Sequence, residues 1–227
     1  MKYKIILIDL DNTLLDFYDA EKVAFTLTCE KFNLPYSEEN YKKYNAINDS
    51  WWKIYEKGLA TKEDIVINRF VDFLSYVNVK GSAKEINEFY RLSLANGTKS
   101  MPGAYELLEF LHSKGCKIFI ATNGYHKIQY KRIGVQPFKK FIDDIFISDE
   151  LGYPKPYVEF FKKAEEKCGL KFSNDTLIIG DSLSSDIQGG INIGIDTLFV
   201  NFSGKNDLPV KPTYIVNNLF EIIKLFS

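Results

Sequence analysis

Residues 3–13 read Y-K-I-I-L-I-D-L-D-N-T, an apolar run that breaks into acids and a turn. Tyr3–Asp9 is a β-branched apolar run, too short for a helix and closed by acidic and turn-forming residues, which predicts a buried strand. Similar runs follow at Cys116–Thr122 (CKIFIAT), Asp144–Ser148 (DIFIS), Thr176–Gly180 (TLIIG) and Thr197–Val200 (TLFV), each ending where small or polar residues begin. Between them lie amphipathic segments of helix length: Ala104–Lys114, Lys127–Gly134, Val158–Lys167 and Leu183–Ile193. Strands alternating with helices predict right-handed βαβ units and a doubly wound parallel sheet, an α/β fold.

The stretch 16–99 breaks that rhythm, with helical periodicity and no convincing strand. Ala20, Val23, Ala24 and Leu27 follow a 3–4 spacing, Ser37 is placed to cap a helix, and Thr61 with Asp64 resembles a capping box. Ser82 with Glu85 fits that box better still, and Pro102 suits the first turn of the helix leading back to the second strand. The expected organisation is a catalytic core, 1–15 and 100–227, with a helical cap domain, 16–99, inserted after the first strand.

Composition bounds the partners. A 227-residue chain is long enough to bury roughly 70% of its surface without a disulfide or structural metal. Its 29 Lys+Arg balance 30 Asp+Glu, which leaves no basic footprint for a nucleic-acid polymer. No apolar run approaches the ~20 residues of a membrane span, and Asp9 interrupts the N-terminal run, so neither a membrane segment nor a signal peptide is expected. Cys29, Cys116 and Cys168 are an odd set without metal spacing, which suits free thiols and a cytoplasmic location.

Four short segments carry candidate chemistry. Asp9 and Asp11 leave the end of the first strand, spaced so that both can point the same way. Gly180-Asp181-Ser182 closes the TLIIG strand, with Asp186 five residues after Asp181. Thr122-Asn123-Gly124 ends another strand, where main-chain N–H groups can cradle an anion. Lys155 is stiffened between Pro154 and Pro156. Taken singly, each also fits a blander role: a polar strand exit, a helix cap, a plain turn, a surface lysine. Together they fall at the carboxyl ends of the strands, where open α/β sheets bind ligands. Four carboxylates against one cation call for a hard divalent ion, Mg²⁺.

These segments resemble, in order, the signature motifs of the haloacid dehalogenase-like hydrolase superfamily: Asp9-x-Asp11-x-Thr13, Thr122, Lys155 and Gly180-Asp181-x-x-x-x-Asp186. The resemblance covers nearly the whole chain. It implies a Rossmann-like three-layer core with sheet order 3-2-1-4-5 and a helical cap. Trp52 with Tyr55-Glu56-Lys57-Gly58, Arg69-Phe70 and Gln129-Tyr130-Lys131-Arg132 are similar to the bacterial pyrimidine 5′-nucleotidase branch, which acts on nucleoside monophosphates.

The activity so implied is Mg²⁺-dependent hydrolysis of a small-molecule phosphomonoester. Asp9 is the expected nucleophile, forming an aspartyl-phosphate, and Asp11 the general acid and base. Asp9, the main-chain carbonyl of Asp11 and Asp181 are the expected metal ligands, with Asp186 one shell out orienting bound water or Lys155. Thr122, the Asn123 amide and Lys155 are the expected phosphate-binding groups. Sugar phosphates or an acylneuraminate phosphate are the alternative substrates. A dehalogenase would need no general acid at position 11, and a non-enzymatic phosphoaspartate switch would need no cap. Trp51 and Trp52, about 100° apart on a helix, read as packing, and Arg69 as a structural ion pair.

Overall fold

The computed structural model describes residues 2–202, 204 and 208–227. Strand β1 (Ile5–Ile8) is followed by α1 (Phe17–Phe32), α2 (Glu38–Glu56), α3 (Lys62–Tyr76) and α4 (Ala83–Leu94). Then come α5 (Ala104–Ser113), β2 (Lys117–Thr122), α6 (His126–Gly134), a 3₁₀ turn (Pro137–Phe141), β3 (Asp144–Ile147), α7 (Ser148–Leu151) and α8 (Val158–Cys168). The chain closes with β4 (Thr176–Gly180), a π-helical turn (Leu183–Ile187), α9 (Gln188–Ile193), β5 (Asp196–Val200), β6 (Tyr214–Val216) and α10 (Leu219–Phe226). It divides into two compact units, 1–16 with 98–227, and 17–97.

The first unit is a parallel sheet in the order β3-β2-β1-β4-β5-β6, flanked by helices. This is the expected order with one strand added at the edge. β1 lies inside it, pairing Ile8 with Ile120 of β2 and with Ile179 of β4. Being covered on both faces, it is apolar at every position, and its alternating side chains feed two cores. Ile6 and Ile8 join Leu107, Leu108 and Leu111 of α5 and Leu219 and Ile222 of α10. Ile5 and Leu7 join Phe160, Phe161 and Ala164 of α8 on the other side.

Two helix expectations shift. The segment 183–193 is not one α-helix: a π turn runs to Ile187 before α9 begins, with Ser182 Oγ accepting from Ser185 N at 3.2 Å. Pro102 falls outside α5, which starts only after Gly103. Where the insertion leaves and returns, the two connecting segments of this unit pair. Asp16 N donates to Lys99 O at 2.9 Å, Met101 N to Leu14 O at 2.9 Å, and Lys99 Nζ bonds the Asp16 carboxylate at 2.9 Å.

The second unit is the four-helix insertion α1–α4. Its centre is aromatic: Phe25 and Tyr44 stack with centroids 4.6 Å apart, Tyr44 and Phe70 stack at 5.3 Å, and Phe73 meets Phe25 edge-on at 5.1 Å. Beside the rings lies a buried polar layer. Asn48 Nδ2 donates to Glu21 at 2.8 Å, and Asn45 Nδ2 donates to the same carboxylate. Arg69 donates to Asn48 Oδ1 at 2.8 Å and to Asn87 Oδ1 at 3.0 Å. In place of the expected ion pair, the hydrogen-bond partners of the buried Arg69 are amides, and the Glu21 carboxylate is reached through Asn48. The same layer rotates α1 from the expected stripe: Ala20, Glu21, Ala24 and Phe25 are buried, while Val23 and Leu27 are exposed.

The caps divide likewise. Ser37 accepts from Asn40 N at 3.0 Å, and Thr61 with Asp64 forms the full reciprocal box, Thr61 N donating to Asp64 at 2.8 Å. Ser82 accepts from Glu85 N at 3.3 Å without the return bond, so the better-looking motif is the weaker cap. No helix among the described residues is long and apolar enough to cross a membrane.

Candidate active site

The site grows from the end of β1. Asp9 N still donates to Ile179 O at 2.9 Å, so the ladder carries Asp9 one residue past the strand. The chain then folds into a tight turn in which Leu14 N and Leu15 N both donate to Leu10 O, at 2.9 and 2.8 Å. Asn12 takes the left-handed conformation (φ 59°) this turn requires, a backbone region Asn tolerates better than most residues. The turn holds Asp11 over the sheet edge and sends Thr13 back to Asp181, whose carboxylate accepts from Thr13 Oγ1 at 3.1 Å.

Lys155 enters from the loop after α7 with a side chain only 1% exposed. Its ammonium has three protons and donates to three oxygens: Asp9 Oδ1 at 2.7 Å, Asp186 Oδ1 at 2.6 Å and Ala121 O at 2.5 Å. Burial by itself would pull the amine's pKa down, but the carboxylates of Asp186 and Asp9 outweigh it and hold the pKa above the ordinary lysine value. Lys155 is thus a fixed cation.

Asp186 reaches this point because the π turn brings it back under β4. Its Oδ2 accepts from Ser182 N at 3.1 Å, and a Cβ on Gly180 would lie 2.1 Å from that oxygen. Only glycine fits at 180. Asp9, Asp181 and Asp186 each place an oxygen within 4.8 Å of the others. Burial, then the neighbouring acids against the opposing pull of Lys155, raises the Asp9 pKa well above the carboxylate range. Burial and then Asp186 push Asp181 up to about 7. Three hard oxygen donors crowded around one lysine fit a divalent cation such as Mg²⁺.

Each residue picked out in the sequence therefore lies at this edge, with two differences in detail. The Asn123 side chain engages the Lys155 backbone: Asn123 Nδ2 donates to Lys155 O and Lys155 N donates to Asn123 Oδ1, both at 2.9 Å. That reciprocal clamp fixes the Lys155 backbone and leaves the main-chain N–H of Asn123 as the group suited to an anion. The Asp11 carboxylate lies outside the acidic trio. It accepts from Gln129 Nε2 at 2.6 Å and from the guanidinium of Arg132. Thr122 Oγ1 accepts from Gly124 N at 3.1 Å and from Gln129 Nε2 at 2.9 Å, which fills its acceptor positions and leaves its proton as the donor it can offer.

Gln129 and Arg132 are neighbours of the site to which sequence reading gave no role. Their i,i+3 spacing puts both on one face of α6, a signal that was present. That the face is buried against Asp11 was not. In the four-helix unit, Phe70 lies in the aromatic core, and Trp52 packs edge-on against Tyr55 at 5.8 Å.

Comparison with known proteins agrees with this geometry. The haloacid dehalogenase-like hydrolase family model matches residues 3–194. The chain is 34% identical to the HAD-hydrolase YfnB of Bacillus subtilis, over 100% of this chain and 96% of that protein. It is 33% identical to the pyrimidine 5′-nucleotidase PynA of Streptococcus pneumoniae (98% and 94% covered) and 30% to the pyrimidine 5′-nucleotidase YjjG of Escherichia coli (92% and 96%). The crystal structure of YfnB bound to magnesium superposes with a TM-score of 0.93, at 33% identity, covering 99% of each chain. Fold, motif order and sequence agree, and the chain belongs to the haloacid dehalogenase-like hydrolases.

Proposed function

We propose that the chain is a Mg²⁺-dependent phosphatase that works through an aspartyl-phosphate on Asp9 and acts on pyrimidine nucleoside monophosphates. The observation that carries the phosphatase reading is the division between the two acids of the 9–11 pair. Asp9 is locked to Lys155 among the acidic trio, while Asp11 stands apart from it on its own donors. One acid is thus reserved for phosphorus and the other for protons.

In the first step a carboxylate oxygen of Asp9 bonds to phosphorus, the bond to the ester oxygen breaks, and Asp11 gives its proton to that oxygen. In the second, water attacks phosphorus as Asp11 takes back a proton, which releases inorganic phosphate and restores Asp9. Lys155, the Thr122 hydroxyl and the Asn123 main-chain N–H face the phosphoryl oxygens as charge spreads over them. Asp9, Asp181 and the main-chain carbonyl of Asp11 would hold Mg²⁺, which would supply the positive charge that lets two anions meet. Asp186 orients Lys155 through their 2.6 Å bond. A dehalogenase has no need of a proton donor at position 11.

The nucleotide preference rests on PynA and YjjG, both named pyrimidine 5′-nucleotidases. The test is phosphate release from a panel of nucleotides and sugar phosphates, with and without Mg²⁺. Pyrimidine deoxynucleoside monophosphates should give the highest kcat/KM. Sugar phosphates exceeding every nucleotide would contradict the substrate reading and leave the phosphatase reading standing.

A further inference from the structure

Arg132 is a charged side chain with no exposed surface, and Gln129, one helical turn before it on α6, is 1% exposed. Burying a guanidinium is costly unless its charge is engaged, and here it meets the Asp11 carboxylate, whose side chain is a quarter exposed. Arg132 Nη1 donates to Asp11 Oδ1, while Gln129 Nε2 donates to Asp11 Oδ2 at 2.6 Å. Gln129 is itself fixed: its Oε1 accepts from Arg132 Nη1 at 3.2 Å, which sets the orientation of the amide, and its Nε2 also donates to Thr122 Oγ1 at 2.9 Å. A Cβ on Gly124 would lie 2.1 Å from that Nε2, so the turn after β2 leaves room for this contact only with glycine at 124.

We propose that Gln129 and Arg132 are positioning residues that aim Asp11 at the leaving oxygen, Gln129 doing so in register with the phosphate-binding Thr122. The inference rests on the phosphatase reading above. Asp11 stands on a turn, and with nothing to grip it would sweep through its rotamers. Two donors on its two oxygens fix the plane of the carboxyl group, and an ionised carboxylate has about four lone-pair sites, so capacity remains for a proton and for water. The Thr122–Gln129–Asp11 chain then ties the proton donor to the hydroxyl facing the phosphoryl group. Leaving oxygen and equatorial oxygens sit at fixed angles around phosphorus, so a rigid tie between their two partners sets both at once.

The experiment compares wild type with Gln129→Met, Arg132→Lys and Asp11→Asn on alkyl phosphates and on aryl phosphates of decreasing leaving-group basicity. Thermal melts in Mg²⁺ establish that each variant is folded. Gln129→Met should lose up to roughly 10²-fold in kcat on alkyl phosphates, the scale of a misplaced catalytic group, with KM little changed. The loss of kcat/KM should shrink as the leaving group improves. Arg132→Lys, which keeps the charge, should lose less than Gln129→Met. Gln129→Met added to Asp11→Asn should cost nothing further. Equal losses on every leaving group, or full additivity with Asp11→Asn, would assign Gln129 a purely structural part and overturn the inference. If wild type releases no phosphate from any monoester, the phosphatase reading falls and this inference with it. If wild type is active and Asp11→Asn impaired while Gln129→Met equals wild type, the inference alone falls.

Discussion

Lys155 Nζ lies 2.7 Å from Asp9 Oδ1 and 2.6 Å from Asp186 Oδ1, joining two acids 177 positions apart in sequence through one fully buried cation. The Asp9 carboxylate is thereby held at the strand end, and the cost of gathering acids there is partly offset. Lys155→Met removes the cation and leaves both carboxylates buried without their partner. Loss of one member of such a pair costs about 3–5 kcal/mol. Urea unfolding without added metal should record a drop of that order, with phosphatase activity lost. A variant as stable and as active as wild type would show the bridge to be incidental.

Divalent cations should stabilise the fold, because Asp9, Asp181 and Asp186 repel one another and only the folded chain gathers them. At 100-fold excess over Kd the gain is about 2.7 kcal/mol. The melting temperature should rise with Mg²⁺ and return on chelation. A melting temperature flat up to millimolar Mg²⁺, with activity unaffected by chelator, would show that the site neither binds nor uses the metal.

Gly180→Ala should mimic loss of Asp186. The added methyl would sit 2.1 Å from Asp186 Oδ2, so the carboxylate must leave Lys155 and the Ser182 N–H. Activity should fall at least tenfold, on the order of a displaced catalytic group. Unchanged kcat/KM in Gly180→Ala would show that Asp186 plays no part in catalysis.

The four-helix unit carries its own pH dependence. Burial, opposed by the Asn45 hydrogen bond and by Arg69 and assisted by Asp49, pushes Glu21 up from 4.5 to about 7. The folded chain therefore keeps a proton that the unfolded chain loses near 4.5. The associated stability, roughly 3 kcal/mol, is complete below that value and is lost as pH rises to and through about 7. Glu21→Gln cannot titrate, so its stability relative to wild type should climb between about pH 5 and about pH 8. Parallel stability curves for the two proteins would contradict the assignment.

The sequence could disclose the sheet because each of β1 to β5 carries a short run of consecutive apolar residues, the mark of strands covered on both faces. It could not disclose β6, a three-residue edge strand without such a run. Asp9, Asp181, Asp186 and Lys155 were legible because each ends or follows a strand, and a parallel sheet brings those ends together. Glu21 was not, since a charged residue reads as surface until its amide partners on other helices are known. The same holds for Gln129 and Arg132, whose reason for burial is a carboxylate more than a hundred residues away. Asn123 was found in the right place, yet its side chain holds the Lys155 backbone, a contact that local spacing does not reveal.

If phosphorus passes through Asp9, Asp11→Asn should trap it there when the substrate is an aryl phosphate. A phenolate leaves without a proton donor, so the first step should survive while hydrolysis of the intermediate slows. Rapid mixing should give a burst of phenol close to one equivalent per enzyme, then a slow steady state. Acid quench and peptide mass analysis should find one phosphoryl group on the peptide carrying Asp9, and none when Asp9→Asn is added. Phenol released with no burst and no phosphoryl group on that peptide would mean that water attacks the substrate directly and that Asp9 is not the nucleophile.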